Sequence, residues 1–231
     1  MTAPRLHHTP KEAFGKRVRE SVVLEGREFL LDRPERLDLV FDHPQVRAAY
    51  DSDCYIPFWC DLWPAAQMLA REVLEEPWDL PRQGHALEIG CGLGLSGIVA
   101  MSRGLKVTFS DIDLGACQLA ADNAALNGYT GAAILALDFR APPRNLSFPV
   151  IFGADVLYED FMTEAAAMFL ISHLPKDGLA LIADPDRVSA RPFRSMLERA
   201  GMTVKLKPKK VGPHGSKTKG VVYRITRGER S

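Results

Sequence analysis

From His85 onward the chain alternates short apolar runs with longer stretches of helical periodicity. His85–Gly90, Lys106–Asp111 (KVTFSD), Ala133–Leu137, Val150–Ala154 and Leu179–Ala183 read as strands. Helical patterns lie between and after them: Leu95–Arg103 ended by Gly104, the alanine-rich Leu114–Leu126 stopped by Asn127-Gly128, Thr163–His173, and Pro192–Ala200 ended by Gly201. Strands separated by helices make β-α-β units, hence a parallel sheet with helices on both faces. The ending breaks that rhythm, because Thr203–Val211 and Gly220–Thr226 are strand-like runs joined only by GPHGSKTK. They predict an antiparallel hairpin closing the sheet. The fold class is therefore α/β: a Rossmann-like, doubly wound, seven-stranded sheet, mostly parallel with a C-terminal antiparallel hairpin.

The N-terminal part has a different texture. VVLEGREFLL predicts a hairpin turning at Glu25-Gly26, followed by proline-punctuated loops. Pro64 follows Trp63 and opens AAQMLAREVLEE, a position that suits proline at a helix start, with Ala65, Leu69 and Val73 on one face. The expected organisation is an N-terminal extension over residues 1–62 that caps the site, and a main domain over residues 63–231. Repeats and low-complexity segments are lacking.

Composition narrows the class. Hydrophobic residues make up 46% and charged ones 25%, an ordinary globular balance. Lys plus Arg and Asp plus Glu are both 29, so overall charge argues against a dedicated nucleic-acid or membrane-surface protein. The apolar runs fall short of the roughly 18 residues of a membrane span, and MTAPRLHHTPKEAFGKRVRE has no apolar core of a signal peptide. Cys54, Cys60, Cys91 and Cys117 include no C-x-x-C pair, and no histidine cluster completes a metal site. The expectation is a cytoplasmic monomer with reduced thiols and no metal.

The candidate chemistry begins at LEIGCGLGLSG, Leu87 to Gly97. Read from Gly92 it is G-x-G-x-x-G, the pattern of a dinucleotide loop; read from Glu88 it is E-x-G-x-G-x-G, the pattern of an S-adenosylmethionine loop. Both need glycines for the same reason, since the backbone must approach a ligand where a Cβ would stand. Both also expect a carboxylate at the end of the second strand, and Asp111 and Asp113 lie about 20 residues on. Glu88 separates them: a carboxylate on a buried strand costs several kcal/mol without partners. S-adenosylmethionine carries an ammonium group where a dinucleotide carries pyrophosphate. The expected cofactor is S-adenosylmethionine, leaving as S-adenosylhomocysteine.

LEIGCGLGLSG, SDID, LDFR and GADVLYE resemble, in this order, the motifs of the class I (seven-β-strand) S-adenosylmethionine-dependent methyltransferases, over about residues 85–226. PFWCDLWPAAQMLA, the D-V-L-Y of Asp155–Tyr158 and the DPDR of Asp184–Arg187 resemble more narrowly the family-16 lysine methyltransferase group. Within it the likeness is nearest to the electron-transfer-flavoprotein β-subunit lysine methyltransferases and bacterial nicotinamide N-methyltransferase-like relatives. The resemblance implies that Glu88, Gly90, Gly92 and Gly94 hold the methionine part of the cofactor. Asp111 would bind the ribose hydroxyls, with Ile112 and Asp113 near the adenine. Asp138 would accept from the adenine amino group and Phe139 would stack on the ring. Trp63 would cover the methionine end, Ala154 would line the site by its backbone, and Asp155 and Tyr158 would face the methyl-transfer point as catalytic residues. The structural alternatives are a Trp63 that staples its helix, a Phe139 that belongs to the core, a Tyr158 that bonds a neighbouring loop, and a DPDR stretch that is only a turn.

Carried further, the resemblance implies N-methylation of a lysine side chain in a protein substrate; the alternative acceptor is a small amine or pyridine of the nicotinamide kind. The basic stretch Lys205–Lys219 lies in a segment, Thr203–Gly220, with six lysines and no acidic residue. It reads either as a solvated hairpin or as a docking surface for an acidic partner. Without interleaved aromatics it gives no stacking platform for bases, and no nucleic-acid or membrane partner is expected.

Overall fold

The computed structural model describes residues 6–212 and 218–228. Strands β1 (Arg17–Leu24) and β2 (Arg27–Pro34) pair as an antiparallel hairpin. Its turn is Glu25-Gly26, both at positive φ (47° and 76°), the left-handed pair that suits the strand twist. Helices α1 (Leu37–Asp42) and α2 (Pro44–Asp53) follow where the pattern predicted loops only. They are short, and Pro44, read as punctuation, occupies the first turn of α2, where its missing N–H costs nothing. Next come α3 (Pro64–Glu75), α4 (Leu80–Gln83), β3 (His85–Ile89), α5 (Leu95–Ser102), β4 (Lys106–Asp111), α6 (Leu114–Leu126) and β5 (Ala133–Ala136). The chain finishes with β6 (Val150–Ala154), α7 (Asp160–His173), β7 (Leu179–Asp184), α8 (Phe193–Arg199), β8 (Thr203–Val211) and β9 (Thr218–Thr226).

The main sheet has seven strands in the order β5-β4-β3-β6-β7-β9-β8. The first five are parallel, and β9 runs antiparallel to both β7 and β8. Winding goes outward from β3 to β5, then restarts at β6 and proceeds the other way. The switch between β3 and β6 leaves a crevice at their carboxyl ends, where open α/β sheets bind ligands. Every residue of β7, LALIAD, is buried, the signature of a strand covered on both faces. One core contains Leu69, Val99, Phe109 and Phe152, with residues of α3, α5 and α6. The other contains Leu87, Ile151, Phe169 and Phe193, with residues of α7 and α8.

Two asparagines one turn apart, Asn123 in α6 and Asn127 at its C-terminal cap, hold the N-terminal hairpin in place. Asn127 accepts from Leu30 N–H at 2.9 Å and donates to Leu30 O at 2.7 Å. Asn123 does the same for Asp32, at 2.8 and 3.2 Å. The two amides thus imitate a neighbouring strand and satisfy alternate residues of the β2 edge. The Asn123 amide also donates to Leu93 O at 3.0 Å, which ties this hairpin to the glycine loop.

The basic C-terminal hairpin proves to be partly an internal counter-charge. Buried Glu72 and Glu76 project from α3 towards β8 and β9. Lys209 reaches Glu72 at 2.9 Å and Glu75 at 2.8 Å, Lys207 also pairs with Glu72, and Arg224 makes a forked contact to Glu76 at 2.7–3.1 Å. Lys205, Lys210 and Lys219 remain exposed, and residues 213–217, including Lys217, lie outside the described residues. Burial pushes the Glu72 carboxyl up, but the two ammonium groups outweigh it and hold it below its ordinary value. A depressed carboxyl stabilises the fold above its unfolded pKa and loses that contribution as pH falls through the folded value. Lys209→Met is therefore expected to cost about 1–3 kcal/mol at pH 7, with the penalty shrinking once Glu72 is protonated in acid. Urea unfolding of both proteins at pH 7 and near pH 4 measures this.

Candidate active site at the carboxyl ends of the strands

The crevice floor is the turn from β3 into α5. Gly90, Gly92 and Gly94 all take left-handed backbone (φ 58°, 51° and 81°), which folds the turn into a cradle. Gly97 sits inside α5 for a different reason: a Cβ there would lie 2.4 Å from Phe109 Cε1 and 2.6 Å from Glu88 Oε2. The missing side chain lets Glu88 lie under the start of α5 and accept Gly97 N–H at 3.0 Å. Glu88 is thus turned towards a helix N-terminus, whose dipole favours a carboxylate.

At the end of β4, Asp111 accepts from Gly92 N–H and Asp113 N–H, both at 3.2 Å. Among the described residues, Asp111 and Glu88 meet backbone N–H groups but no cation. Burial raises Asp111 to about 7 and Glu88 to about 8, against the opposing pull of the backbone N–H groups.

Asp113 has a different task. It is fully buried, caps α6 through Gly115 N–H at 2.7 Å, and accepts from Thr9 N–H at 2.9 Å, Thr9 Oγ at 2.5 Å, Tyr55 Oη at 2.5 Å and Trp59 Nε1 at 3.3 Å. Ile112 O accepts from His7 N–H at 2.9 Å, and the His7 ring stacks on Tyr55 at 3.9 Å. The segment around residues 7–9 and the stretch from Tyr55 to Trp59 are therefore fastened over the end of β4. Sequence placed Asp113 near the adenine; in the structure its lone pairs are taken up by the fold.

Asp138 also has a partner the sequence did not announce. Arg140 grips both of its carboxylate oxygens at 2.8 and 2.7 Å and adds its own backbone N–H at 2.9 Å. Phe139 is buried, with its ring edge against Phe169 at 6.3 Å in the core beneath α7. Ala154 ends β6, paired to Ala183, and its backbone borders the crevice. Asp155 then turns sharply in the left-handed region (φ 61°), a conformation a non-glycine residue holds only under constraint. One of its oxygens pairs with Arg187 of the DPDR loop; the other, Oδ2, is buried without a hydrogen-bond partner among the described residues.

Three aromatic side chains form the rim. Phe58, Trp63 and Tyr158 are 47%, 38% and 38% exposed. Phe58 lies edge-to-face with Trp63 at 6.3 Å and with Tyr158 at 6.0 Å, and Trp63 Nε1 donates to Phe58 O at 2.7 Å. Phe58 completes the group, yet sequence reasoning missed it, as it missed Tyr55 and Arg140; Arg187 was singled out only as part of DPDR, without a role. PFWCDLWP held the only signal, and adjacency in sequence does not reveal which aromatic faces out.

The seven-stranded sheet with its antiparallel β9, taken with the glycine cradle and the buried carboxylate at the end of β4, defines the class: a Rossmann-like fold of the methyltransferase type. Residues 57–198, more than half of the chain, match the lysine methyltransferase family 16, and the chain belongs to that family. It is 31% identical over 139 residues to the electron transfer flavoprotein beta subunit lysine methyltransferase of Xenopus laevis, covering 57% of this chain and 53% of the relative. Against the mouse protein of the same name it is 29% identical over 133 residues, covering 57% and 51%. The chain thus matches about half the length of these curated relatives. Among solved structures, magnesium protoporphyrin IX methyltransferase from Synechocystis with bound S-adenosylhomocysteine aligns with TM-score 0.56 at 16% identity, over 70% of this chain and 82% of that one. That likeness concerns the fold.

Because Glu88 and Asp111 titrate higher folded than unfolded, the ligand-free folded state binds more protons in between. Their contribution to stability is present below the unfolded carboxyl range and lost as pH rises through about 7 and about 8. Each lost proton costs about 1.4 kcal/mol per pH unit. The expected outcome is a urea midpoint that declines from about pH 5 to pH 8 without ligand and levels off above, with a shallower decline in Glu88→Gln.

Proposed function

We propose that the protein is an S-adenosylmethionine-dependent N-methyltransferase acting on a lysine side chain of a protein substrate. The observation that carries the protein acceptor is the open aromatic rim beside Asp155. A small amine or pyridine would call for a closed acceptor pocket, whereas Phe58, Trp63 and Tyr158, the last only three residues after Asp155, are 38–47% exposed and packed edge-to-face through Phe58. The family match supports the same reading. The extension over residues 1–62 supplies Phe58, so it shapes the acceptor side as well as capping the crevice.

The residues present fit the cofactor. A backbone cradle where a Cβ would intrude, and two buried carboxylates lifted by burial for want of a cation, suit a ligand bearing an ammonium, ribose hydroxyls and a sulfonium. In this reading the turn of Gly90, Gly92 and Gly94, with Glu88 beneath it, holds the methionine part. Asp111 accepts from the ribose hydroxyls, and Ile112 borders the adenine. Asp138 offers the lone pairs that Arg140 leaves free. Phe139, turned into the core, meets the adenine through backbone rather than through its ring face. S-adenosylmethionine supplies an electrophilic methyl group and needs no metal to do so.

The protein must deliver a neutral amine in line with that methyl. A lysine with an ordinary pKa of about 10.4 costs roughly 4–5 kcal/mol to deprotonate at pH 7. Desolvation between Trp63 and Tyr158 and the positive charge of the sulfonium both lower that cost. Asp155 orients the nitrogen through Oδ2, and the Tyr158 ring packs on the aliphatic stem and its charged head. Alignment of acceptor and methyl supplies much of the rate.

Incubation of the purified protein with isotope-labelled S-adenosylmethionine and purified electron transfer flavoprotein is expected to label the β subunit at lysine. Label confined to the small-molecule fraction of a lysate would overturn the protein acceptor in favour of the small amine. Asp155→Ala is expected to lower turnover at least about 100-fold. S-adenosylhomocysteine affinity should stay within about twofold of wild type, because Asp155 serves the acceptor rather than the cofactor. Full activity in that variant would remove Asp155 from the mechanism.

A further inference from the structure

The DPDR stretch, Asp184 to Arg187, is more than a strand-to-loop turn, because it forms a charge cluster with Asp155. Asp184 is fully buried at the end of β7 and accepts Arg187 N–H at 2.7 Å through Oδ1. The Arg187 guanidinium returns to Asp184 Oδ2 at 3.2 Å, and the same Nη1 pairs with Asp155 Oδ1. The Asp155 side chain is 8% exposed, and its Oδ2 is buried without a hydrogen-bond partner among the described residues. Two further bonds lock the loop to the D-V-L-Y turn: Ser189 Oγ donates to Leu157 O at 2.6 Å, and Asp155 N–H donates to Ala183 O at 2.9 Å.

We infer that Arg187 is a positioning residue that fixes Asp155 by one oxygen and leaves the other to accept from the acceptor nitrogen, which arrives as an ammonium and loses a proton to water before transfer. The deduction rests on the reading of Asp155 as the group that orients the acceptor. Two carboxylates and one guanidinium leave the cluster one negative charge, enough for one incoming ammonium. Without Arg187, the two carboxylates lose their shared cation, and Asp184, whose carboxyl burial already pushes up, takes a proton more readily. Asp155 then loses its fixed rotamer and with it the placement of Oδ2. Arginine suits this role better than lysine, because its guanidinium keeps its charge when partly buried, whereas a lysine ammonium shifts its pKa readily there.

The test needs no knowledge of the natural acceptor. Sinefungin is a cofactor analogue that carries an amine-bearing carbon in place of the methylated sulfur, so its ammonium stands at the transfer point; S-adenosylhomocysteine has no such group. Calorimetric titration of the full chain with both ligands gives a preference ratio that reads the Asp155 oxygen directly. Wild type is expected to favour sinefungin about tenfold, as a charge-assisted hydrogen bond supplies. In Arg187→Ala that ratio should fall at least about fivefold while S-adenosylhomocysteine affinity stays within about twofold. Free guanidinium at millimolar concentration should restore part of it, which a purely structural defect would not allow. S-adenosylhomocysteine binding checks that each variant is folded, and Arg187→Met, of similar length without charge, gives the same loss should the alanine variant fail to fold. An unchanged ratio in the arginine variants overturns the role of Arg187. Asp155→Asn separates the two readings: if it abolishes the preference while the arginine variants keep it, only Arg187 is excluded. If wild type shows no preference, or Asp155→Asn keeps it, Asp155 itself does not face the transfer point and both fall.

Discussion

A carboxylate with no access to water must be given its hydrogen bonds by the protein, and Asp113 receives them from three separate stretches of chain: Thr9, the Tyr55–Trp59 stretch and the first turn of α6. Losing any of these donors leaves the others around a charge that cannot be hydrated. The N-terminal segment therefore cannot drift from the end of β4 without exposing or stranding that charge. The consequence reaches Asp111, two residues earlier, and the rim, because the stretch pinned through Tyr55 and Trp59 also carries Phe58. Burial and the neighbouring carboxylate push the Tyr55 hydroxyl far above its ordinary value, so it serves as a fixed donor.

The other buried carboxylates divide by whether the chain supplies a cation. Glu72 and Glu76 meet Lys207, Lys209 and Arg224; Asp138 meets Arg140; Asp155 and Asp184 share Arg187. Glu88 and Asp111 rely instead on backbone N–H groups, and burial lifts both. Groups that must be charged for the fold are neutralised internally, and groups that are costly to keep charged cluster beside the glycine cradle. Such a distribution is typical of ligand sites.

Much of the architecture was legible in the chain. The strands Lys106–Asp111 and Val150–Ala154 and the helix Leu114–Leu126 occur with the boundaries their patterns predict, because fully buried strands and an alanine-rich helix with a strong stop carry local signals. The glycine cradle was legible too, since positive φ imposes glycine on the sequence itself. Helices α1 and α2 were not, being short and marked only by prolines that serve both loops and helix starts. The hairpin lysines looked free because their partners, Glu72, Glu75 and Glu76, lie over 130 residues away in sequence.

The sequence by itself determined the strand–helix alternation, the antiparallel closing hairpin, the cofactor turn and the carboxylates that follow it, all of which depend on backbone requirements expressed within a few residues. Only the tertiary structure decided what each polar side chain answers to. Asp113 became an anchor, Phe139 a core residue, Lys209 a counter-charge for α3 and Arg187 the partner of Asp155. Hydrogen bonds and ion pairs act over a few ångströms and are indifferent to separation along the chain, so their partners are fixed only once the sheet has brought its strand ends together.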